Sequence, residues 1–336
     1  MKLQTQYGDD FNKMKYCLVT GGAGYVGSRC CKELAKAGYV PVTVDDLSRG
    51  HKELVKWGPF CKANVLDSDA LGQIFETYNP VAVFHFAGFT YVGESVEKPD
   101  MYYSNNTAGT LSVLRTMVKN GCRNIIFSST AATYGDPQYT PIDENHPQKP
   151  INPYGWSKLF IEQMLADFER AYGIKYAALR YFNASGADEE GETGELHEPE
   201  THLIPLVIQA ALGKRENIKV FGDDYKTPDG TAVRDYIHIS DLASAHVKAL
   251  ERLLNDGPSL KANLGTGTGF SVLEVIESVR RVSGRKFDAV MAPRRAGDPP
   301  ILVAAPLRAQ KELNWQYKIP CVDDIVRTAW NWHLNH

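Results

Sequence analysis

The 336-residue sequence is short of the features that would mark it for an unusual environment. No run approaches the roughly 18 apolar residues that cross a bilayer. The opening segment, Met1 to Met14, is polar and has no apolar stretch of signal-peptide length, so export is not expected. Neither sign of charge dominates: 37 Lys and Arg stand against 40 Asp and Glu, a net charge of −3. Nucleic acid and anionic membrane surfaces are therefore not expected partners. The six cysteines (Cys17, Cys30, Cys31, Cys61, Cys122 and Cys321) show no C-x-x-C spacing and sit mostly among apolar neighbours. Reduced core thiols and a cytoplasmic location are the expectation. No H-E-x-x-H or similar ligand spacing occurs, so His238 and His246 read as structural and no metal is expected. No repeat or low-complexity linker interrupts the chain, which is long enough to bury a large core as one domain or two.

What is present begins with a glycine-rich turn. Tyr16-Cys17-Leu18-Val19-Thr20 predicts a short buried strand running into Gly21-Gly22-Ala23-Gly24-Tyr25-Val26-Gly27, then a helical pattern carrying Cys30, Leu34 and Ala35. Gly38 closes that helix, and a second strand, Val40 to Val44, stops at Asp45. This is the β-α-β pattern that binds dinucleotides. Gly21, Gly24 and Gly27 permit a tight turn, close approach of a pyrophosphate, and close packing of helix on sheet, while the helix N-terminus offers free N–H groups. Asp45 lies 18 residues beyond Gly27, where a carboxylate accepts ribose hydroxyls and repels a 2′-phosphate. That favours NAD, although Arg49 nearby leaves NADP open.

Further strands are expected at Val81 to Gly88 and Asn124 to Ser128, with a helix over Thr110 to Lys119 between them. The alternation implies an α/β fold, a doubly wound parallel sheet with its ligand at the carboxyl ends of the strands. Ser128-Ser129-Thr130 falls at such an end. Asn152-Pro153-Tyr154-Gly155-Trp156-Ser157-Lys158 opens another helix, whose i, i+4 spacing puts Tyr154 and Lys158 on one face. A phenol has an ordinary pKa of about 10, and a neighbouring ammonium favours its ionised form. The pair thus reads as a tuned proton acceptor and donor. Further along, Ser185 to Glu200 holds seven acids and reads as a solvated loop whose repulsion discourages contact with a diphosphate.

The G-x-x-G-x-x-G spacing together with Tyr154 and Lys158 resembles the extended branch of the short-chain dehydrogenase/reductase superfamily. His85-Phe86-Ala87-Gly88, Val92-Gly93-Glu94-Ser95-Val96, Phe127 to Thr130, Asn152 to Lys158, Arg180-Tyr181-Phe182-Asn183 and Asp229 to His238 resemble the UDP-glucose/UDP-galactose 4-epimerase family over nearly the whole chain. The resemblance implies Tyr154 as catalytic base and acid, Lys158 as its tuner and a ribose ligand, and Thr130 at the family's Ser/Thr position. It places Gly21, Gly24, Tyr25, Val26, Gly27, Asp45, Asn64, Val65, Phe86, Ala87, Gly88, Asn105 and Tyr181 on cofactor positions. Asn183, His202, Leu203, Phe221, Arg234, Tyr236, Arg295 and Asp298 fall where a UDP moiety is held, and Leu302 where the sugar pocket is gated. An Arg suits a diphosphate, an aromatic or apolar side chain suits uracil, and an acid suits a ribose hydroxyl. The implied architecture is a Rossmann-like domain (15–180 plus about 232–265) and a smaller C-terminal α/β substrate domain (about 181–231 plus 266–336), after an N-terminal extension over 1–14. A homodimer through helices near 108–120 and 157–172 is implied as well.

The implied reaction is reversible 4-epimerisation of UDP-galactose and UDP-glucose through a 4-keto sugar with tightly bound NAD. Three departures bear on detail. Thr90 stands where many galactose epimerases have a Lys near the nicotinamide, Asn64 replaces an Asp beside the adenine, and the branched Leu302 leaves little room for an acetamido group. Thr90 and Ser128-Ser129-Thr130 also resemble the UDP-xylose/UDP-arabinose 4-epimerase branch. A dehydratase needs an acid after the Thr, and Ala131-Ala132 follow here. A uronic-acid epimerase or decarboxylase needs a carboxylate receptor, which the sequence does not reveal. A non-catalytic NAD or nucleotide-sugar-binding protein commonly loses the Tyr or the Lys, and both are present.

Overall fold

A computed structural model describes residues 14–295 and 298–336, so the expected N-terminal extension over 1–14, apart from Met14, lies outside the described residues. Seven strands form the main sheet: β1 (Tyr16–Thr20), β2 (Val40–Asp45), β3 (Phe60–Lys62), β4 (Ala82–His85), β5 (Asn124–Thr130), β6 (Lys175–Tyr181) and β10 (Leu260–Leu264). They lie in the order β10-β6-β5-β4-β1-β2-β3, and every pair is parallel. The order reverses between β1 and β4, the switch point at which open α/β sheets bind ligands.

Strand periodicity explains the two covered faces, because successive side chains point to opposite sides. Cys17, Val19, Phe84, Ile126 and Leu179 meet one apolar cluster, shared with helices Tyr25–Lys36 and Ile239–Leu254. Leu18, Val83, Ile125, Phe127 and Ala178 meet the other, shared with helices Ser68–Tyr78, Gly109–Lys119 and Pro153–Tyr172. Each fully buried aliphatic side chain contributes about 1.5–3 kcal/mol. The nearly continuous apolar strands of the sequence are thus the signature of a sheet buried on both sides.

Beyond β6 the chain builds a smaller assembly. β7 (Asn183–Ser185), β11 (Gly269–Ser271) and β13 (Ile301–Leu302) all pair with β9 (Val233–His238), while β8 (Asn217–Phe221) pairs with β12 (Asp288–Ala292). Helices Leu203–Ala211, Val272–Ser283 and Val322–Asn335 share a core with these strands through Ile208, Tyr236, Ile276 and Val326. β9 belongs to the smaller sheet, and the chain returns to the main sheet through helix Ile239–Leu254 and β10. His238 and His246 are buried and hydrogen-bonded, His238 to Thr328 at 3.0 Å and His246 to the Leu242 carbonyl at 2.8 Å.

The acidic stretch departs from the sequence expectation. Asp188 is 2 % exposed: its carboxylate meets Lys32 Nζ at 2.6 Å and Arg29 Nε at 3.3 Å. Lys32 also pairs with Glu190 and Glu192. These two cations belong to helix Tyr25–Lys36, more than 150 residues earlier, so Asp188, Glu190 and Glu192 are neutralised from a distance, while Glu189, Glu190 and Glu198 stay solvent-exposed as expected, and the segment lies along that helix as a strap. Tyr25 Oη donates to the Gly186 carbonyl at 2.6 Å, and His51 Nε2 lies 2.7 Å from the Leu196 carbonyl, fastening the strap along its length.

Candidate active site

A cleft of about 1350 Å³ runs across the switch point and between the two assemblies. Its walls include every residue expected to touch cofactor or substrate except Lys158. On the main-sheet side these are Gly21, Gly24, Tyr25, Val26, Gly27, Asp45, Asn64, Val65, Phe86, Ala87, Gly88, Asn105 and Tyr181; on the other, Asn183, His202, Leu203, Phe221, Arg234, Tyr236, Arg295, Asp298 and Leu302, with Thr130 and Tyr154 between them.

The glycine turn is fixed by close approach. Gly21 has φ +72°, and a Cβ there would lie 2.6 Å from Ala87 N, so the turn after β1 and the loop after β4 touch backbone to backbone. A side chain on Gly27 would strike the Gly21 carbonyl. Asp45 ends β2 and accepts from Ala23 N at 3.1 Å and Leu47 N at 2.9 Å, while burial raises its carboxyl pKa against those bonds. The turn, the helix N-terminus and this carboxylate fit a dinucleotide whose ribose carries free hydroxyls. Arg49, the residue that left a 2′-phosphate open, is taken: it holds Glu94 at 3.0 and 3.1 Å and lies over the rings of Phe89 and Tyr91.

The next loop is held by a residue the sequence reading did not single out. Buried Asn106 accepts from Phe89 N at 2.8 Å and donates to the Phe89 carbonyl at 3.0 Å and to Ser157 Oγ at 3.1 Å. It lies in a π-helical turn, Tyr103–Ala108, of the kind often found at functional sites. Below it His85 bridges Thr20 (2.7 Å) and Thr110 (2.8 Å), and burial lowers its pKa to about 3, so it stays neutral.

The helix Pro153–Tyr172 starts where its sequence dictates. Asn152 caps Gly155 N at 2.8 Å, Pro153 occupies the first turn, and Gly155 admits the Ala132 carbonyl, which a Cβ would meet at 2.5 Å. Tyr154, Lys158 and Glu162 then share one face at successive i+4 positions. Glu162, fully buried, holds Arg180 of β6 (Nε at 2.7 Å, Nη2 at 2.5 Å) and accepts from Ser129 of β5 at 2.6 Å. The rotation of the helix is set by that pair, which brings Tyr154 beside Thr130. Glu162 is carried by no motif, although it is the i+8 position from Tyr154 on the same helix face; Ser129 lies within the Ser128-Ser129-Thr130 motif, and the structure gives it this bond to Glu162.

Lys158 lies beneath the cleft wall. Its Nζ donates to the Ser128 carbonyl at 2.8 Å, lies 6.0 Å from the centre of the Tyr154 ring, and would be 3.5 Å from a Cβ on Gly88. Burial lowers its pKa from 10.5 to about 7. Burial also raises the Tyr154 phenol above 10, with a hydrogen bond from Thr130 working the other way. The net direction at Tyr154 is thus upward, set by burial, against the depression that the neighbouring ammonium alone would give. Tyr181 is bound to Ser128 through their hydroxyls, and its phenol is raised by burial as well.

The far wall carries cations with few partners. Arg234 donates to the Val233 carbonyl at 2.9 Å, stands 3.8 Å from Asp298, and has its pKa lowered by burial. Among the described residues Arg295 has no carboxylate partner, and its guanidinium lies 4.0 Å over the Phe221 ring. Asn183 donates to the Asp235 carbonyl at 2.9 Å. Leu302 pairs with Arg234 across β13 and β9 and packs with Phe182 against Ala131, Tyr134 and Ile142.

Sheet order, glycine turn and a helix face with Tyr154 at the cleft and Lys158 buried beneath it together define a dinucleotide-binding α/β protein of the short-chain dehydrogenase/reductase type. The sequence profile of the NAD dependent epimerase/dehydratase family matches residues 17–265, and the chain belongs to that family. It is 51% identical over 318 residues to a UDP-glucose 4-epimerase of Rhizobium meliloti (strain 1021), covering 94% of this chain and 96% of that protein. Among solved structures, UDP-glucose 4-epimerase from Brucella ovis in complex with NAD superposes with a TM-score of 0.93 at 52% identity, over 94% of this chain and 98% of that one. The enzyme from Bifidobacterium longum in complex with NAD+ and UDP superposes with a TM-score of 0.90 at 39% identity, over 96% and 98%.

Proposed function

We propose that the protein is an NAD-dependent UDP-sugar 4-epimerase, an isomerase that interconverts UDP-galactose and UDP-glucose. The observation that carries this reading is one cleft holding a dinucleotide turn, a Tyr154–Thr130 pair at its centre, and two arginines on the opposite wall. NAD, when bound, supplies the acceptor that takes the C4 hydride and returns it, and brings a positive ring charge in its oxidised form. Asp45 would accept from its ribose hydroxyls, and the N–H groups at the start of helix Tyr25–Lys36 would hold its pyrophosphate. With the oxidised nicotinamide charge and the Lys158 ammonium favouring its phenolate, Tyr154 Oη would take the proton of the 4′-hydroxyl, with the Thr130 hydroxyl alongside, as the C4 hydride leaves, and would return it to the 4′-oxygen when the turned 4-keto sugar takes the hydride on its other face. Lys158 would set the electrostatics beneath the phenol and serve as a ligand of the cofactor ribose. Arg234, Arg295 and Asp298 hold the UDP moiety with His202, Leu203, Phe221, Tyr236 and Asn183, leaving the sugar free to turn. Leu302 limits the pocket to sugars without an acetamido group.

The main sheet with its helices serves as the NAD-binding domain, 15–180 plus a return near 232–265, and the smaller assembly, about 181–231 plus 266–336, as the UDP-sugar domain. A homodimer through the helices near 108–120 and 157–172 is consistent with exposed Trp156, Phe160 and Tyr172 on helix Pro153–Tyr172. A cytoplasmic location accords with six free cysteines and with no helix among the described residues long and apolar enough to cross a membrane. The test is to offer UDP-galactose, UDP-xylose and UDP-N-acetylgalactosamine separately, with no NAD added, and resolve the products by chromatography. Conversion of UDP-galactose fastest of the three is expected. Faster conversion of UDP-xylose would move the protein to the pentose branch, and no conversion even with NAD would refute the reading.

A further inference from the structure

The end of the strap brings four ionisable side chains, Glu195, His197, Glu200 and His202, to the rim of the cleft, and the epimerase chemistry described above uses only His202. Glu195 is 3 % exposed, yet it lines the cleft together with both histidines. Its Oε1 stands 2.9 Å from His197 Nδ1 and is hydrogen-bonded to His202 Nδ1. Glu200 Oε1 accepts from Thr201 N at 2.6 Å and His202 N at 2.8 Å, which fixes the backbone that carries the His202 ring.

Glu195 is held from behind. Trp332 Nε1, on helix Val322–Asn335, donates to the Glu195 carbonyl at 3.1 Å, and a Cβ on neighbouring Gly194 would lie 2.4 Å from the Trp332 ring. The carboxylate is thus set by packing, whereas the His202 side chain is 47 % exposed. Burial by itself favours a neutral imidazole, and the Glu195 charge outweighs it, so the His202 pKa is raised. The other groups facing this pair are His197 and Glu200 on the same segment, Tyr25 of the first helix, Tyr91 of the loop after β4, and His333 of the last helix. Burial raises both phenols and lowers the His333 pKa, so these three stay neutral, and Glu200 offsets the His197 cation. Glu195 is left as the group that decides the charge on His202.

We propose that Glu195 is a positioning residue for substrate binding: by holding Nδ1 of a charged His202 ring, it leaves Nε2–H as an oriented donor to the diphosphate of the UDP-sugar. An imidazolium has a donor at each ring nitrogen, so one serves Glu195 and the other a phosphate oxygen. His202 then acts as a third cation on the wall that carries Arg234 and Arg295. The inference rests on the UDP-sugar reading above and adds to it a residue that acts through another.

The test is calorimetric titration of full-length, NAD-loaded protein with UDP-glucose, whose diphosphate keeps one charge state across the range used. The affinity ratio of unsubstituted protein to Glu195→Gln should be about tenfold near pH 8.5 and shrink toward pH 6. Without the carboxylate, His202 returns to or below its ordinary pKa of about 6.5 and loses its charge as pH rises. Turnover at saturating UDP-galactose should stay within about threefold, with the loss appearing in KM. In a His202→Gln background, Glu195→Gln should add less than about twofold. If Glu195→Gln fails to fold, Glu195→Asp, which withdraws the carboxylate by one methylene, serves in its place with the same pH trend. A folded variant with unchanged affinity, a loss equal at both ends of the pH range, or a loss undiminished in the His202→Gln background would overturn the inference alone. Failure of the unsubstituted protein to bind UDP-glucose would overturn the UDP-sugar reading, and this inference with it.

Discussion

The two walls of the cleft are built on opposite principles. On the proton-transfer side, groups are satisfied within the protein: Glu162 is saturated by Arg180 and Ser129, Asn106 by Phe89 and Ser157, and His85 by two threonines. On the opposite wall, Arg234 has one carboxylate at 3.8 Å and Arg295, with no carboxylate partner among the described residues, lies over an aromatic face. Charges that fix geometry are neutralised in place, and charges that await a ligand are left short of partners. The contrast suits a reaction in which the proton donor must not move and the sugar must, since the substrate is then gripped at one end only.

Breaking the saturated wall should have the largest effect. Glu162→Gln removes one member of a fully buried pair and should lower unfolding stability by about 3–5 kcal/mol in urea titration. A Glu162→Gln/Arg180→Met double variant that recovers much of the loss would locate the cost in the uncompensated guanidinium. Lys158 supplies a pH test on the same wall. Its folded pKa of about 7 lies below the ordinary 10.5, so between those values the unfolded chain binds the extra proton, and this group's penalty fades as pH rises. The thermal midpoint of NAD-free protein should therefore gain on that of Lys158→Met from pH 7 toward pH 10, with Lys158→Met the more stable below pH 7. On the open wall, Arg234→Ala should leave stability nearly unchanged and raise KM for UDP-galactose by about 10- to 150-fold, the worth of a charge-assisted hydrogen bond, with a smaller change in kcat. Smallest is Leu302→Ser, which should raise turnover of UDP-N-acetylgalactosamine by about tenfold.

Legibility in the sequence followed the same division. The glycine turn, Asp45 and the Tyr154–Lys158 face were readable because each is local, a strand followed by a turn or an i+4 spacing on one helix. The alternating strands were readable because their period carries burial. The Glu162–Arg180 pair joins a helix to a strand, and its meaning appears only once both are placed. Of the acids of 185–200, the burial of Asp188 is not legible locally because its counterions, Arg29 and Lys32, sit on the first helix. The direction of the Tyr154 shift was hidden for a related reason: spacing shows that Lys158 is near, and burial decides which effect wins.

The central claim is that Tyr154 Oη carries the sugar's proton in a site complete but for its ligands. Tyr154→Phe keeps the ring and removes only that hydroxyl. Its epimerisation of UDP-galactose, measured by chromatography beside the unsubstituted protein at equal bound NAD, should fall by at least about 100-fold while UDP affinity stays unchanged. Activity within a few-fold of the unsubstituted protein would contradict the account.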